Sequence, residues 1–498
     1  MIEFKDVSFR YPEGGGVDHL TMYVKKGECV VLTGASGCGK TTVTRLINGL
    51  SPHFYPGELQ GIIRVAGVTG ELLKPDVISG KVGSVFQNPR SQFFNLDTTS
   101  EIAFACENLG VGREEILQRV QQSVNILGIE HLLEKDIFKL SGGEKQLIAM
   151  ASVLAPDPPI FVLDEPSANL DAQATQELSR VLKKLKTLGK TIVIAEHRLY
   201  YLMDVADRFL CMDNGQITHE WTNRQFAAVS DEKRKILGLR TTALETLLPG
   251  ISEAAVPKEN RLSASDCRFY YPMGKPVLKG LNMHVSSGEV VGIIGKNGQG
   301  KSTLARILCG LQKEKQGSIL LNGRMLTQKQ RNQIIYLVMQ EPGYQLFTES
   351  VEAEMRLTDT APGQEEVDGM LELLQLGNFK ERHPMSLSGG QKQRLSIGVA
   401  MMKHADTVIM DEPTSGLDYE NMLRIRALIA RLREQGKKVL IITHDYEFIL
   451  HTCTRIVHMA NGCVQLDYLL NLANLHMLRE FFIPRKEEEY YEQQQING

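Results

Sequence analysis

Two glycine-rich strings constrain this chain more than any other feature. Residues 34–41 and 295–302 both fit the pattern G-x-x-x-x-G-K-[ST], and their lysines stand 261 residues apart. Each string follows an apolar run and opens a stretch with helical periodicity, which is the context in which this pattern forms a phosphate-binding loop. Two further strings recur 247 residues apart, namely Leu140-Ser141-Gly142-Gly143 with Leu387-Ser388-Gly389-Gly390 and Asp164-Glu165-Pro166 with Asp411-Glu412-Pro413. The chain is therefore a duplication.

The repeat divides the 498 residues into domains. A single hydrophobic core rarely grows beyond about 250–300 residues, so a chain of this length must split. We predict a first domain at 1–221, a linker with short helices at 222–261, a second domain at 262–465 and a helical tail at 466–498. In the tail, leucines at every third residue predict one helical face: Leu469, Leu472, Leu475 and Leu478. The first copy has 14 extra residues before its Leu-Ser-Gly-Gly string, which we assign to surface loops.

Short apolar runs alternate with amphipathic stretches in both copies. Ile160-Phe161-Val162-Leu163 and Val439-Leu440-Ile441-Ile442 have the continuous apolar character of strands that are buried on both faces. The stretch 176–188 has helical periodicity. This alternation predicts an α/β fold with a parallel sheet in each copy.

Composition excludes several classes of protein. The 56 basic and 59 acidic residues leave a net charge of −3, which gives no electrostatic reason to expect a nucleic-acid partner. A hydrophobic fraction of 42% excludes a disordered chain. No window reaches the ~18 consecutive apolar residues of a membrane helix, and the start lacks a signal-peptide pattern, so we expect a cytosolic location. The eight cysteines form no C-x-x-C pair, which argues against a disulfide framework or a metal cluster.

The glycine strings predict phosphate binding. Glycines allow backbone N–H groups to turn toward phosphate oxygens, and the start of the following helix adds positive potential. Lys40 and Lys301 would neutralise the β- and γ-phosphates, and Thr41 and Ser302 would bind Mg²⁺. Cys38 lies inside the first string, where we favour a small tolerated side chain over a reactive thiol.

A pair of carboxylates ends a later apolar strand in each copy. Asp164 and Asp411 would hold Mg²⁺ through water, whereas Glu165 and Glu412 would polarise the attacking water. The alternative for either glutamate is a satisfied loop carboxylate. The end of a strand directs both acids toward the phosphates, which disfavours that alternative.

A phosphate loop with Leu-Ser-Gly-Gly shortly before an Asp-Glu strand resembles the nucleotide-binding domains of ABC ATPases. The resemblance covers both halves, nearly the whole chain, and implies two P-loop NTPase domains. Each would have a RecA-like parallel-sheet core, an antiparallel β subdomain and a helical subdomain. The resemblance also implies D-loops at 167–171 and 415–418 and ATP hydrolysis with ATP and Mg²⁺.

The resemblance assigns roles to residues of this chain. The catalytic residues are Glu165, Glu412 and the switch histidines His197 and His444. The metal-binding residues are Thr41, Gln87, Asp164, Ser302, Gln340 and Asp411. Tyr11 and Tyr271 would stack on adenine, although a lone strand tyrosine is the alternative. The remaining nucleotide-binding residues are Gly34, Ser36, Gly37, Cys38, Gly39, Lys40, Thr42, Ser141, Gly142, Gly143, Gly295, Asn297, Gly298, Gln299, Gly300, Lys301, Thr303, Ser388, Gly389, Gly390 and Gln391.

In such ATPases two domains associate head to tail, so each ATP lies between the phosphate loop of one and the Leu-Ser-Gly-Gly of the other. Serine and glycine amides at a helix start can bind the γ-phosphate, which makes ATP part of the interface. The halves differ at Glu144, which stands where the second copy has Gln391, and at Glu196, which stands where it has Thr443. Since both sites keep their catalytic residues, we predict that both hydrolyse ATP, at rates made unequal by Glu144.

The segments after Gln87 and Gln340 indicate a type of transporter. Residues 87–94 and 340–347 share Q-[NE]-P-x-x-Q-[FL]-F, which resembles the extended Q-loop of energy-coupling factor (ECF) importers of vitamins, metals and other micronutrients. The alternative is that Gln92 and Gln345 are surface residues of a local turn. The resemblance implies a transmembrane coupling protein and a small membrane substrate-binding protein as partners, at the cytoplasmic face of the cell membrane.

The coupling protein would dock near 93–109 and 347–356. These segments contain carboxylates suited to basic partner residues, with solvated helix carboxylates as the alternative: Glu101, Glu107, Glu349, Glu352 and Glu354.

Two other functions remain open. One is the tandem ATPase of another importer of the sugar type, which fits the extended Q-loop less well. The other is a soluble ABC-F-like ATPase that acts on ribosomes. ABC-F proteins usually have a long basic joining segment, whereas 222–261 carries seven basic and five acidic residues, too balanced for an arm that grips phosphates.

Overall fold

A computed structural model of the chain describes residues 1–250, 260–272, 274–358 and 362–483. Two compact units are distinguished: 1–243 with 418–420, and the other described residues from 244 onward. Parts of the predicted linker and tail, residues 251–259 and 484–498, lie outside the described residues.

Strands in the first half lie at β1 Ile2–Arg10, β2 Gly16–Val24, β3 Cys29–Gly34, β4 Glu58–Val65, β5 Val68–Thr69, β6 Val82–Val85, β7 Ile160–Asp164, β8 Thr191–Ala195, β9 Arg208–Asp213 and β10 Gln216–Thr222. Helices lie at α1 Lys40–Ile47, α2 Leu50–His53, α3 Pro75–Ile78, α4 Thr98–Asn108, α5 Arg113–Leu127, α6 Gly142–Leu154, α7 Ala172–Thr187, α8 Asn223–Ala227 and α9 Asp231–Ile236.

The apolar runs of the first half form the middle of a six-stranded sheet with the order β10-β9-β3-β8-β7-β6. All neighbours in it are parallel except the β10–β9 pair. A separate antiparallel sheet has the order β2-β1-β4-β5. Because neighbouring strands are parallel, the carboxyl ends of β3, β7 and β8 meet at one edge, where the candidate site residues stand.

Strands in the second half lie at β11 Leu262–Tyr270, β12 Pro276–Val285, β13 Val290–Ile294, β14 Gln316–Leu321, β15 Arg324–Met325, β16 Ile335–Val338, β17 Thr407–Asp411, β18 Lys438–Ile442, β19 Arg455–Ala460 and β20 Cys463–Leu469. Helices lie at α10 Lys301–Leu308, α11 Gln328–Ile334, α12 Val351–Met355, α13 Gln364–Leu373, α14 Gly389–Met402, α15 Tyr419–Glu434, α16 Tyr446–Thr452 and α17 Leu475–Phe482.

The second half repeats the sheet pattern of the first. Its six-stranded sheet has the order β16-β17-β18-β13-β19-β20, in which β19–β20 is the antiparallel pair, and its antiparallel sheet has the order β12-β11-β14-β15. The predicted α/β class with two parallel-sheet cores is confirmed. The helices α4, α5 and α6, and their counterparts α12, α13 and α14, form the third part of each unit.

Two expectations about the extra segments are wrong in part. Leu469 ends strand β20 and Leu472 is exposed in a loop, so only Leu475 and Leu478 share a buried helical face. The 14-residue excess is not confined to loops, because α4 and α5 have 11 and 15 residues against 5 and 10 in α12 and α13.

The predicted linker is shared between the units. Its residues up to Ala243 belong to the first unit and those from Leu244 to the second. In the first part, buried Arg234 bonds to Asp231 and to the Thr242 hydroxyl. In the second part, the Gly250 amide donates to the Leu450 carbonyl oxygen at 2.9 Å.

Candidate active sites

The first glycine string forms a loop between β3 and α1. Gly34 has φ 135°, and a Cβ there would lie 2.1 Å from the Met212 carbonyl oxygen; Gly39 has φ 105°. Only glycine fits both positions without strain. The Lys40 Nζ is buried and donates to the Gly34 and Ala35 carbonyl oxygens at 3.0 and 2.8 Å. The ammonium group is therefore held inside the loop that it would share with a phosphate.

The second string repeats this geometry. Gly295 has φ 150°, and a Cβ there would lie 2.3 Å from the Met459 carbonyl oxygen. The Lys301 Nζ donates to the carbonyl oxygens of Gly295 and Lys296. The other predicted loop positions Ser36, Gly37, Thr42, Asn297, Gly298, Gln299, Gly300 and Thr303 lie in or directly after these two loops.

Cys38 is packed in its loop rather than presented to solvent. Its side chain is 4% exposed, and burial raises the pKa of the thiol. Its Sγ lies 3.6 Å from the Lys40 Nζ. These observations agree with the tolerated small side chain favoured from the sequence.

Each loop hydroxyl lies opposite the aspartate that ends β7 or β17, two strands away from the strand before the loop. The Thr41 hydroxyl donates to Asp164 Oδ1 at 3.3 Å. Burial, with a smaller contribution from the charge of Glu165, raises the pKa of Asp164 to about 6. Burial also raises the pKa of Asp411, against a hydrogen bond from Ser302. A divalent cation between hydroxyl and carboxylate would offset the cost of burying that charge, so the donor sets fit Mg²⁺.

Glu165, His197 and Gln87 converge on one point in the first half. Glu165 adopts φ 44°, which turns it out of β7, and its Oε1 lies 3.4 Å from His197 Nε2. The Gln87 Nε2 donates to Glu165 Oε2 at 2.6 Å. The buried His197 Nε2 makes no hydrogen bond within the described residues, so it could donate to a phosphate oxygen.

The second half brings Glu412 and His444 together in a related way. Glu412 adopts φ 49°, and its Oε1 lies 3.6 Å from His444 Nε2. The backbone amide of His444 donates to Glu412 Oε2 at 3.3 Å. Gln340 follows β16 as Gln87 follows β6.

Tyr11 and Tyr271 each directly follow a strand and contact the helix that begins at a phosphate loop. Tyr11 packs edge-on against Phe9 at 4.8 Å between ring centroids, and its hydroxyl accepts from Arg45 at 3.4 Å. Tyr271 has a hydroxyl 3.2 Å from that of Thr303 at the start of α10. Both positions are compatible with stacking on a base.

The Leu-Ser-Gly-Gly strings each begin a helix, α6 or α14. Ser141 caps α6, and its backbone amide donates to Glu144 Oε2 at 2.7 Å. Ser388 caps α14, with its amide donating to Gln391 Oε1 at 2.8 Å. Burial opposes ionisation of Glu144, but the hydrogen bonds from Ser141 prevail and lower its pKa. Glu144 and Gln391 thus make the same cap with a charged and a neutral group. The four following glycines are Gly142, Gly143, Gly389 and Gly390.

The second glutamine of each Q-loop string, Gln92 or Gln345, hydrogen-bonds to the backbone of the segment before it. The Gln92 side chain donates to the Ser84 carbonyl oxygen at 2.9 Å and accepts from the Phe86 amide at 3.3 Å. Gln345 bridges the backbone of Leu337 and Met339 in the same manner, at 2.6 and 2.8 Å. The local-turn alternative therefore accounts for the spacing of these glutamines, which fixes the backbone from which Gln87 and Gln340 project.

The prediction that carboxylates after the Q-loops form a docking surface is wrong for Glu101 and Glu354, which are buried. Glu101 Oε2 accepts from the amides of Phe94 and Asn95 at 3.0 and 2.8 Å. Glu354 Oε2 accepts from the amides of Phe347 and Thr348, both at 3.1 Å. These carboxylates close their own loops. Glu352 is bonded to Arg356 and Lys380, whereas Glu107 and Glu349 are exposed.

Exposed apolar clusters at matching places were missed from the sequence. In the first unit the cluster is Phe94, Leu96 and Phe138, each more than 70% exposed. In the second unit it is Tyr344, Phe347 and Met385. Phe94 and Phe347 hold the same position in the repeat, as do Phe138 and Met385. The phenylalanine that ends both Q-loop strings was the sequence signal that could have indicated this apolar surface.

Comparison with known proteins gives the family. A model described as ABC transporter matches residues 17–168 and 278–415. A putative ABC transporter ATP-binding protein of Treponema denticola is 45% identical over 470 residues, 93% of this chain and 96% of that protein. One of Methanosarcina mazei is 32% identical, over 94% of this chain and 88% of that protein.

Solved structures share the tandem fold. The chain is similar to the archaeal ribosome recycling factor aABCE1, solved in complex with the ribosomal stalk protein aP1, with a TM-score of 0.62 and 19% identity. That likeness covers 96% of this chain and 92% of the other, and at this identity it concerns the fold alone. In the described parts of the chain, every helix is too short or too polar to cross a bilayer.

Proposed function

Because this chain belongs to the ABC transporter family, as an ATPase with two ATP-binding units, we propose that it is the energy-coupling subunit of an ECF-type importer. ATP hydrolysis is the activity of the family. The transport of a vitamin, metal or other micronutrient, and the membrane partners that it requires, are the proposed part.

We propose that two composite sites form head to tail between the units. Lys40, Asp164, Glu165 and His197 would face Ser388, Gly389, Gly390 and Gln391, and Lys301, Asp411, Glu412 and His444 would face Ser141, Gly142, Gly143 and Glu144. Each capped helix start presents amides that suit a γ-phosphate. ATP would therefore favour the closed pair, and hydrolysis would release it.

The residues divide the hydrolytic work within each site. Lys40 leaves the Gly34 and Ala35 carbonyl oxygens to neutralise β- and γ-phosphate oxygens. Glu165 accepts a proton from the water as the water attacks the γ-phosphate, and its Oε2 is held by Gln87. His197 Nε2 donates to the γ-phosphate as charge develops there. Thr41 and Asp164, or Ser302 and Asp411, with Gln87 or Gln340, would hold Mg²⁺, which supplies further charge neutralisation.

Turnover of single-site variants tests the two-site proposal. Glu165→Gln and Glu412→Gln keep the shape of each side chain but remove the base, so each should lower turnover and the pair should abolish it. If either single variant keeps full turnover, two-site hydrolysis is wrong. If the double variant still hydrolyses ATP, the assignment of the two bases is wrong.

The observation that carries the transport proposal is the pair of exposed apolar clusters. Phe94 and Phe347 are each 75% exposed at the end of a Q-loop string, so a docked helix there would touch the segment that holds Gln87 or Gln340. An apolar surface that recurs in both units suits a partner rather than water. We propose amphipathic cytoplasmic helices of a membrane coupling protein as the occupants. Peripheral attachment at the cytoplasmic face of the membrane follows from this docking.

Affinity purification from membranes of the source organism tests the docking. The wild-type chain should retain a polytopic membrane protein and a small membrane substrate-binding protein, identified by mass spectrometry. Phe94→Ser with Phe347→Ser should lose both and keep the ATPase rate of the isolated chain. Leu117→Ser is the matched control, because Leu117 is 60% exposed on α5 outside the clusters.

The alternatives give different outcomes in the same experiment. A sugar-type importer would retain membrane subunits without a small embedded binding protein. A ribosome-associated ATPase would retain ribosomes and no membrane protein. The described linker gives little support to the latter, because Arg234 and Arg240 are buried and cannot grip phosphates.

A further inference from the structure

A buried carboxylate that the mechanism does not use lies beside the first switch histidine. Glu196 is 2% exposed and directly precedes His197. Its Oε1 accepts from the backbone amides of His197 and Arg198 at 2.7 and 3.1 Å. Its Oε2 accepts from the Tyr201 hydroxyl at 2.8 Å and from the Ser167 amide at 3.3 Å. Four donors therefore converge on the two oxygens of this buried side chain.

These bonds connect two loops that flank the proposed base. Ser167 lies two residues after Glu165 and is fully buried. The Arg198 Nη1 donates to the carbonyl oxygens of Ser167 and Leu170, both at 3.4 Å. Glu196 binds the amide of Ser167 while Arg198 binds its carbonyl group. The switch loop and the loop after Glu165 are thus tied together by side chains on both sides of His197.

The second half ties the same loops with different residues. Thr443 replaces Glu196 in the repeat, and its hydroxyl accepts from the Asp445 amide at 3.1 Å. Asp445 Oδ2 accepts from the Thr414 hydroxyl at 2.9 Å. The amide of His444 donates to Glu412 at 3.3 Å. The carboxylate that reaches the neighbouring loop therefore follows the histidine here, and the histidine amide uses the proposed base itself.

The two halves give the amide of the switch histidine different acceptors. In the first half Glu196 takes the amide of His197, and Glu165 Oε2 is bound by Gln87 at 2.6 Å. In the second half Glu412 Oε2 carries the bond from the backbone of the switch loop. A histidine amide that loses Glu196 needs another acceptor, since a buried unpaired N–H is costly. The second half shows that the oxygen of the base can serve.

We propose that Glu196 is a positioning residue of the first hydrolysis site. By accepting from the amides of His197 and Ser167, it fixes the switch loop without using Glu165, which leaves the Glu165 carboxylate to Gln87 and the His197 ring. This inference rests on the proposed roles of Glu165 and His197. It predicts that the first site loses the orientation of its base when Glu196 is removed, although the phosphate loop that binds ATP is untouched.

Steady-state kinetics of the full chain test the inference with the second site silenced by Glu412→Gln. Glu196→Ala should lower kcat by about tenfold or more and leave KM for ATP within about threefold, because misplaced groups affect chemistry more than binding. Glu196→Gln should recover part of kcat, since its one amide oxygen can still accept from His197 and Arg198. The double variant Glu196→Thr with Arg198→Asp reproduces the residues of the second half, and its kcat should be higher than that of Glu196→Ala.

Controls separate positioning from loss of structure. Thr443→Ala in the Glu165→Gln background changes the same place in the repeat and should lower kcat by less than about threefold. Binding of a fluorescent nucleotide and the melting temperature confirm that each variant is folded. The inference fails if Glu196→Ala keeps the wild-type kcat or changes only KM for ATP. It also fails if the kcat of Glu196→Gln is no higher than that of Glu196→Ala. Residual hydrolysis by Glu165→Gln with Glu412→Gln would instead overturn the proposed roles of the two bases.

Discussion

Removal of the Glu101 carboxylate should open the segment after the first Q-loop. Glu101 is 3% exposed in α4 and accepts from the amides of Phe94 and Asn95 at 3.0 and 2.8 Å, and from Asn95 Nδ2 at 3.2 Å. Hydrogen bonds to a charged group contribute ~1.5–3 kcal/mol each. The two backbone donors cannot turn toward another acceptor, so Glu101→Ala should destabilise the closed segment by about 3 kcal/mol.

Hydrogen exchange measures this local opening without global unfolding. A loss of about 3 kcal/mol corresponds to roughly 150-fold faster exchange of the Phe94 and Asn95 amides, since 1.4 kcal/mol is a factor of ten. Glu101→Gln should lie between alanine and wild type, because one oxygen remains and the charge is lost. Glu107→Ala is the control, as Glu107 is exposed on the same helix. Exchange in Glu101→Ala within about threefold of wild type would refute the reasoning.

Three further perturbations test other parts of the structure. The pKa of Asp164 is raised to about 6 by burial, so Mg²⁺ must displace a proton below that pH. In a Lys301→Ala background, Mg²⁺-dependent ATP affinity should fall roughly tenfold per pH unit below about 6. Adding Asp164→Asn should remove the slope, and a flat titration of the Lys301→Ala chain with Asp164 intact would contradict this. A Cβ at Gly39 would lie 2.8 Å from the Gly16 carbonyl oxygen at φ 105°, so Gly39→Ala should abolish ATP binding at the first site in calorimetry. Gly112→Ala, in open space at negative φ, should bind normally. Leu478→Ala removes a fully buried side chain of α17 and should lower the free energy of urea unfolding of the second unit by ~2–4 kcal/mol. Leu472 is exposed, so Leu472→Ala should lower it by under ~0.5 kcal/mol. Equal losses would support the original prediction that both leucines lie on one buried helical face.

The phosphate loops and strand-end acids could be predicted because their chemistry depends on a few adjacent residues. Gly34 has a positive φ and lies too close to Met212 for a Cβ, and the Lys40 side chain must reach back to the Gly34 carbonyl oxygen, six residues earlier. A local string that meets such demands rarely has another use. The roles given to Glu165 and His197 depend in addition on a parallel sheet, which the apolar runs predicted.

Carboxylate roles after the Q-loops could not be predicted in the same way. Glu101 and Glu354 look like other surface glutamates of an amphipathic helix, and their burial depends on how the preceding loop closes over them. Only the folded loop shows that the Phe94 and Phe347 side chains are exposed while their own backbone amides donate to Glu101 and Glu354. An acidic docking surface was therefore expected where exposed apolar side chains stand beside buried carboxylates.

The prediction of one helical face in the tail was wrong for a different reason. A spacing of three residues fits one face of a helix, but it also occurs where an edge strand passes into a loop. Leu469 is hydrogen-bonded in register with Arg455 of β19, and this pairing decides its structure. Such long-range pairing leaves little trace in a local pattern.

The duplication lets one half of the chain serve as the comparison for the other, and it shows where a modest difference in sequence hides a change in geometry. Taken alone, Glu196 in place of Thr443 adds a buried charge, which is costly without partners. Arg198 in place of Asp445 is the second change, and together they move the carboxylate from one side of the histidine to the other while the tie to Ser167 or Thr414 persists. What does not persist is the acceptor of the histidine amide, which is Glu196 in one half and the proposed base in the other. Matching motifs therefore do not imply matching contacts, because Glu196 accepts from the amide of His197 whereas Glu412 accepts from that of His444.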